Sequence, residues 1–464
     1  MERKATLIAA FALAATLAAC AESAAARDRE RPERILLEGV PGDAPRPAAR
    51  PLPENPAAPE TLSLEDLYRM ALRRSERLAL ADEELVRIRT RYEQVVGSVL
   101  PRVAFEGTVT FQERVALPGA TSVDRNFTDP RRSEYRFAAR QPIFSGLAEF
   151  YELRRQGRLY EAQEETLRHA RLLLYADVAD AFYAVLQIDR ERATTEDALR
   201  LARERLEELA QRQRLGISRR SEVLAQEAEV ASLEASLERF RGALSVAWET
   251  LGFLAGFEGT RTLVDTLAEP AAPPPVERFL ARARTERRDL RALERRAEAA
   301  RQAVGVARAG YLPAVDLEGR YYTHREGFSE DVRWDVVLSF EVPLFEGGVT
   351  QARLREARSN VRSEELERER LRRAIDLDVR RAWIDLSSLV EELRALEAAV
   401  RSAEENYELV QAEYRRGIVS NLEVLAAFTT LQQARLGRDR ARYQAKAAAV
   451  RLAVQAGLPP GGAP

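Results

Sequence analysis

The chain of 464 residues contains one cysteine, two histidines and few aromatic residues, which make up 7% of it. A lone thiol, Cys20, excludes an intramolecular disulfide, so no covalent staple holds the fold. His169 and His324 have no partner at metal-ligand spacing in the sequence. The Gly347-Gly348 pair follows Glu346 at a strand end and reads as a turn, not as a phosphate-cradling loop. With no catalytic set either, the sequence reads as a non-enzyme that needs no cofactor. An excess of one charge is missing too. Lys and Arg number 72 against 74 Asp and Glu, a formal net charge of −2, which speaks against a nucleic-acid partner.

The N-terminal apolar run, Leu7 to Ala19 with only Thr16 interrupting it, is shorter than the roughly 20 residues a spanning helix needs. It follows Met1-Glu2-Arg3-Lys4 and reads as the core of a signal peptide over residues 1–19. The run closes on Leu17-Ala18-Ala19-Cys20, which is similar to a bacterial lipobox, so Cys20 is expected as the lipidated first residue of the mature protein. Ala21 in second position does not match an inner-membrane retention signal. Cleavage after Ala24-Ala25-Ala26 is the alternative and would discard Cys20. Seven prolines between residues 41 and 60 forbid helix or central strand. Residues 20–60 are therefore read as an extended, lipid-anchored spacer.

What the sequence has in abundance is Ala, Leu, Glu and Arg at helical spacing, with 31% of all residues charged. That composition suits long helices whose carboxylates and guanidinium groups pair along solvated faces. A first helix is expected from Thr61 to about Ser98, with Ser63 and Asp66 as a loose capping box. The period then changes from 3.6 to 2. Val103, Phe105, Gly107, Val109 and Phe111 alternate with Glu106, Thr108 and Thr110, and Tyr135, Phe137 and Ala139 alternate with Arg136 and Arg140. The second strand is expected to end near Pro142. A proline-free helical stretch follows from Gly146 to about Arg214, then a tip, then a helix from about Arg219 to Leu254.

The second half repeats the first. Gly216 and Gly417 lie 201 positions apart, and so do Pro142 and Pro343. The tip Arg214-Leu215-Gly216-Ile217-Ser218 is answered by Arg415-Arg416-Gly417-Ile418-Val419-Ser420, and Glu222 aligns with Glu423. A glycine between charged amphipathic runs, followed by Ser or Asn, stops one helix and caps the next. The organisation is thus a first repeat over 61–260, with strands at about 102–142 and a tip at about 214–221. The second repeat covers 261–456, with strands at about 314–343 and a tip at about 415–422. A short tail, 457–464, completes the chain. In the second repeat Val315, Leu317, Gly319 and Tyr321 alternate with Asp316, Glu318 and Arg320, and Val332, Trp334 and Val336 alternate with Arg333 and Asp335. Four strands of about ten residues, apolar on one side only, have the pattern of bilayer-crossing strands. Four strands cannot close by themselves, and an open edge in lipid leaves backbone groups unsatisfied, so several copies are required. Glu106, Arg136, Asp316, Glu318, Arg333 and Asp335 are the candidates to face a water-filled lumen.

The duplicated β-hairpin and helical hairpin, the Leu-Pro entries at 100–101 and 312–313, and the paired Gly-Ile tips resemble the TolC-type outer-membrane efflux protein family, in its lipidated branch found with RND-type pumps. The resemblance covers roughly residues 61 to 455. It implies a mostly α fold with a small β part: a homotrimer with a 12-stranded outer-membrane β-barrel continuous with a 12-helix periplasmic α-barrel. It implies as partners a periplasmic membrane-fusion adaptor, an inner-membrane RND or ABC transporter and outer-membrane lipid. Glu423 matches the principal acidic ring of the periplasmic gate, while the second acidic position is Ala426 here. Tyr414 and Glu222 match positions whose link holds the tip shut, and a reinforcing arginine is replaced by Val419. Gly216, Ser218, Gly417 and Ile418 match the turn that meets the adaptor. The bland reading of Glu222 and Glu423 is a first-turn acid favoured by the helix dipole. The rival function is a non-pore periplasmic coiled-coil structural lipoprotein.

Overall fold

The computed structural model describes residues 61–113, 131–269, 271–326 and 330–458. The expected signal peptide, Cys20, the proline-rich spacer, the loop of the first hairpin and the tail from 459 onward lie outside these residues.

Each half runs through the same elements in the same order. The first half contains β1 (Thr61–Ser63), α1 (Leu64–Arg74), α2 (Glu76–Ser98), β2 (Arg102–Phe111), β3 (Arg131–Ser145), α3 (Ala148–Arg214) and α4 (Arg220–Ala255). The second contains β4 (Thr262–Val264), α5 (Val276–Glu286), α6 (Arg288–Ala309), β5 (Ala314–Arg325), β6 (Trp334–Glu341), α7 (Val349–Arg415) and α8 (Asn421–Gln455). Both long helices have 67 residues, a length of roughly 100 Å at about 1.5 Å per residue. The shorter helices lie against them: α2 and α4 pack on α3, and α6 and α8 pack on both α3 and α7.

The expected first helix is divided. Ser63 caps α1 in a full capping box with Asp66, but Thr61–Ser63 is a strand, paired in parallel with β4. The helix then breaks at Ser75, which is extended at φ −63° and ψ 110°. Ser75 ends α1 through its backbone N–H and starts α2 by accepting from the Leu78 N–H at 3.4 Å. A serine that closes one helix and caps the next produces a bend at little cost in unpaired backbone groups. Arg287 makes the corresponding break between α5 and α6.

The four longer strands form one antiparallel sheet in the order β2-β3-β5-β6. β3 continues beyond the expected end at Pro142, which lies opposite Asp316, with a register shift between Pro142 and Phe144. β6 starts at Trp334, so Val332 and Arg333 precede it. The sheet has two open edges within the chain, β2 and β6.

The two largest hydrophobic cores lie in the helical body. One gathers Leu62, Leu67, Val178, Phe182, Tyr183 and Leu251 around α3. The other gathers Phe279, Leu280, Ile375, Val379, Leu386 and Leu452 between α5, α7 and α8. The link between the halves is fixed by Lys446, 4% exposed, whose ammonium donates to Asp265 at 2.6 Å and to the Leu267 carbonyl at 3.0 Å. Among the described residues no helix is long and apolar enough to cross a membrane.

Candidate functional site

Two regions carry the polar chemistry expected from the sequence: the tips of the helical hairpins and one face of the sheet.

At the first tip the chain leaves α3 through Gly216 at φ +73°, and the Ile217 N–H donates back to the Arg212 carbonyl at 2.8 Å. At the second tip Gly417 has φ +75°, and the Ile418 N–H donates to the Glu413 carbonyl at 3.1 Å. Only a residue without Cβ adopts this left-handed turn freely, which explains a glycine at both sites. Ile217 and Ile418 project into solvent, about two-thirds exposed. Ser218 is half-buried behind the first turn.

The two acids close local caps. Glu222 accepts from the Arg219 backbone N–H at 3.3 Å. Glu423 accepts from the Ser420 N–H at 2.6 Å and the Ser420 hydroxyl at 2.9 Å. The Ser420 amide, then its hydroxyl, hold the Glu423 carboxyl below the usual carboxylate range. Glu423 is exposed, so its negative charge remains presented at the tip.

Tyr414 is 6% exposed and packs with Leu209, Val223 and Val424. Its ring lies beneath two guanidinium groups from α3, with Arg205 4.0 Å and Arg212 4.9 Å from the centroid. Arg205 also donates to the Asn421 amide oxygen at 3.1 and 3.2 Å. Within one chain, therefore, the ring is held by arginines of the first hairpin and not by Glu222. Such cation–π contacts contribute about 0.5–2 kcal/mol each. Arg205, Arg212 and Asn421 were not identifiable from sequence, because they lie far from Tyr414 along the chain or are ordinary first-turn and last-turn residues. The duplication holds a clue only in retrospect: Tyr414 and Asn421 align with Gln213 and Arg220 in the first tip, so the tips share a backbone turn but differ in chemistry.

On the sheet, pairing in register places the polar positions on one face. Glu106 lies opposite Arg136 and pairs with it at 2.7 Å. Arg140 approaches Asp316 at 3.6 Å. Arg320 pairs with Glu318 at 2.6 Å and reaches Asp335 at 4.0 Å, while the Tyr322 hydroxyl donates to Asp335 at 2.9 Å. The structure thus brings Glu106, Arg136, Asp316, Glu318 and Asp335 into one ladder of alternating sign, with Arg140, Arg320 and Tyr322 as its further members. Arg333 is outside the ladder, exposed just ahead of β6, and its carbonyl accepts from the Tyr322 N–H at 2.8 Å. The opposite face carries Val103, Phe105, Phe137, Trp334, Leu338 and Phe340, all exposed. A sheet that exposes aromatic and aliphatic residues on one side and pairs its charges on the other is built for two different solvents. The histidines belong to neither region's chemistry. His169 faces Asp289 at 3.9 Å in α3, with burial lowering its pKa, and His324 contacts the Ser133 hydroxyl at 3.2 Å.

Comparison with known proteins agrees with this architecture. The cation efflux system protein CusC of Escherichia coli K12 is 24% identical over 380 residues, 78% of this chain and 79% of CusC. The outer membrane protein TolC of Escherichia coli K12 is 24% identical over 300 residues, and that alignment spans 61% of this chain and 60% of TolC's length. Among solved structures, CusC superposes with a TM-score of 0.75 over 85% of this chain and 92% of CusC, at 20% identity. VceC of Vibrio cholerae superposes with a TM-score of 0.72, over 85% of this chain and 96% of its own, also at 20% identity. The sequence matches the profile described as outer membrane efflux protein over residues 67–257 and again over 279–458. With four-fifths of the chain covered by that profile and the same strand-and-helix order in both halves, the chain belongs to the outer membrane efflux protein family.

Proposed function

We propose that copies of this chain close into a passive exit duct, which carries substrates from an inner-membrane pump across the periplasm and the outer membrane. The observation that carries this reading is the pair of unpartnered edges. The sheet ends at β2 on one side and β6 on the other. In the helical layer, α7 leaves Leu366, Leu377, Ile384 and Leu409 exposed, while α2 and α4 leave Leu80, Leu224, Val246 and Phe253 exposed. Edges of this kind are satisfied when one copy's β6 and α7 meet the next copy's β2, α2 and α4, a head-to-tail contact that closes into a ring. Three copies supply 12 strands, enough for a barrel with an aqueous interior. The charge ladder then lines the lumen and the apolar face meets lipid.

The duct conducts without chemistry of its own, as its relatives' names as efflux and outer-membrane proteins suggest, and the pump supplies the energy. The exposed turns at Gly216, Ser218, Gly417 and Ile418 are the surface for a periplasmic membrane-fusion adaptor. Adaptor binding shifts the population of the tips towards an open arrangement, with Tyr414 and its arginines, Glu222 and Glu423 forming the gate. The transporter partner is of the RND or ABC class, serving tripartite efflux or type I secretion, and Cys20 supplies a lipid anchor.

The test is the native mass of protein extracted in detergent from separated outer membranes, with palmitate labelling alongside and single-channel recording afterwards. A labelled trimer from the outer-membrane fraction that conducts ions is the expected result. A soluble monomer without conductance overturns the duct in favour of a coiled-coil structural lipoprotein. Conductance by Tyr414→Phe with Glu222→Ala reports on the gate: an increase is expected, and an equally closed channel removes these residues from it.

A further inference from the structure

The helical body holds a second polar site, away from both the tips and the sheet. Between α6 and α7, with Tyr151 of α3 beside it, lies a groove lined by Arg301, Arg308, Arg358, Arg362 and Gly305. No acid lines it. Arg301 is engaged by Glu365 at 3.1 Å. Arg308, Arg358 and Arg362 make no ion pair or side-chain hydrogen bond among the described residues, and all three are exposed. Other arginines of the two helices, such as Arg353 and Arg355, are likewise without an ion pair among the described residues, but they do not line the groove. Other guanidinium groups close by are matched by acids. Arg295 and Arg158, for example, share Glu161 and Glu298 close by on α3 and α6. The floor is shaped by a glycine: a Cβ at Gly305 would stand 2.4 Å from the Tyr151 ring, so only glycine lets the ring lie against α6 there.

From this geometry we infer that the groove binds a phosphate oxyanion. Three guanidinium groups without partners, converging on one groove, offer planar pairs of N–H donors that match phosphate oxygens in geometry and charge. Gathering them without a counter-ion costs repulsion, which an oxyanion relieves. The position indicates its origin. Arg308 lies in the last turn of α6, just before the chain turns into β5. At that junction Tyr311, Leu312, Leu344 and Phe345 are exposed, the last two almost completely. Arg308 thus stands beside the apolar collar of the sheet. The groove runs from there along α7 past Arg358 and Arg362, roughly 14 and 20 Å from the start of that helix at about 1.5 Å per residue. That is the side of the collar where lipid headgroups stand if the sheet crosses a bilayer. The oxyanion site stands on the groove alone. Its assignment to a lipid headgroup rests on the duct reading above.

The experiment is native mass spectrometry of the full chain in detergent, titrated with phosphatidylglycerol, with phosphatidylcholine and with inorganic phosphate. Comparison is with Arg308→Gln/Arg358→Gln, and with Arg370→Gln/Arg394→Gln, which removes the same charge elsewhere on α7. Phosphatidylglycerol is expected to bind the parent and the control alike, and the groove variant about tenfold more weakly. Retention of bound phosphatidylglycerol against excess inorganic phosphate identifies the headgroup as occupant. Displacement, with the same dependence on Arg308 and Arg358, keeps the oxyanion site but assigns it to a phosphate-bearing solute. Equal binding by the groove variant, or no preference for phosphatidylglycerol over phosphatidylcholine together with no binding of inorganic phosphate, overturns the proposal. The native mass of the assembly in the same spectra shows separately whether the ring itself has formed.

Discussion

The two long helices have the same length and stand at the same place in each half, yet they are buried very differently. α3 buries 19 of its residues and α7 only 10. The reason is position. α3 lies in the middle of the layer, with α2 and α4 on one side and α6 and α8 on the other, whereas α7 packs against α5, α6 and α8. Large residues follow this asymmetry: Phe182 and Tyr183 fill the centre of α3, whereas at the aligned positions of α7 Trp383 is only partly buried and Ile384 is exposed. One helix is a finished core element; the other is half of an interface. A duplicated sequence therefore does not imply duplicated energetics, because the outer copy of an element needs a partner that the chain alone does not provide.

The strongest way to break this contrast is to charge the outer helix. Leu377→Asp with Ile384→Asp is expected to abolish the multimer, seen as a drop in native mass to a single chain that keeps its helical circular dichroism. A full-size assembly carrying both aspartates shows that α7 is not an interface helix. The next effect is on stability. Phe182→Ala should cost about 3–5 kcal/mol through lost burial and the cavity left behind. In the dissociated chain Leu366→Ala should stay within about 0.5 kcal/mol, as surface changes do. Denaturant titration of the two variants measures the gap, and similar losses would erase the distinction between the helices.

The tips sharpen the comparison further, since α3 there supports α7 through Arg205. Arg205→Ala removes a cation–π contact and the hydrogen bonds to the buried Asn421, and should loosen the second tip by about 1–3 kcal/mol. Hydrogen exchange should quicken at the amides after Asn421 while the first tip stays protected; equal change at both tips argues that Arg205 serves general packing. The smallest effect is acid fraying of α8. The Ser420 amide and hydroxyl lower the Glu423 pKa from its ordinary 4.5. A depressed carboxylate pKa stabilises the fold fully above the unfolded value, and that contribution is lost as pH falls from 4.5 through the folded value. Amide exchange at the start of α8 should therefore rise below pH 4.5 in the parent, and Glu423→Gln, which removes the titrating carboxyl, should flatten that dependence. An unaltered profile in the variant would assign the fraying to other groups.

Much of this was legible in the residues. The change of period from 3.6 to 2 at Val103 marked the first strand, and the Gly216 and Gly417 turns marked the tips within a residue or two. Five of six lumen candidates fall on one ladder because side chains on a strand alternate strictly, so polarity at every second position fixes a face. The sixth, Arg333, lies just ahead of β6, where the backbone still bonds to Tyr322 but the side chain makes no ion pair or hydrogen bond with the ladder. The break at Ser75 was missed because serine is tolerated inside a helix as well as at its cap.

The sequence by itself determined the local conformations, their order and their repetition, since periodicity, proline and left-handed glycine act over a few residues. Only the tertiary structure decided which copy of each element is central and which is an edge. It also set Arg205 and Arg212 over Tyr414, placed Lys446 on Asp265, and left Arg308, Arg358 and Arg362 around a groove without an acid. Those outcomes depend on which helix faces meet across hundreds of residues, and helices of similar composition and amphipathic pattern do not announce their neighbours.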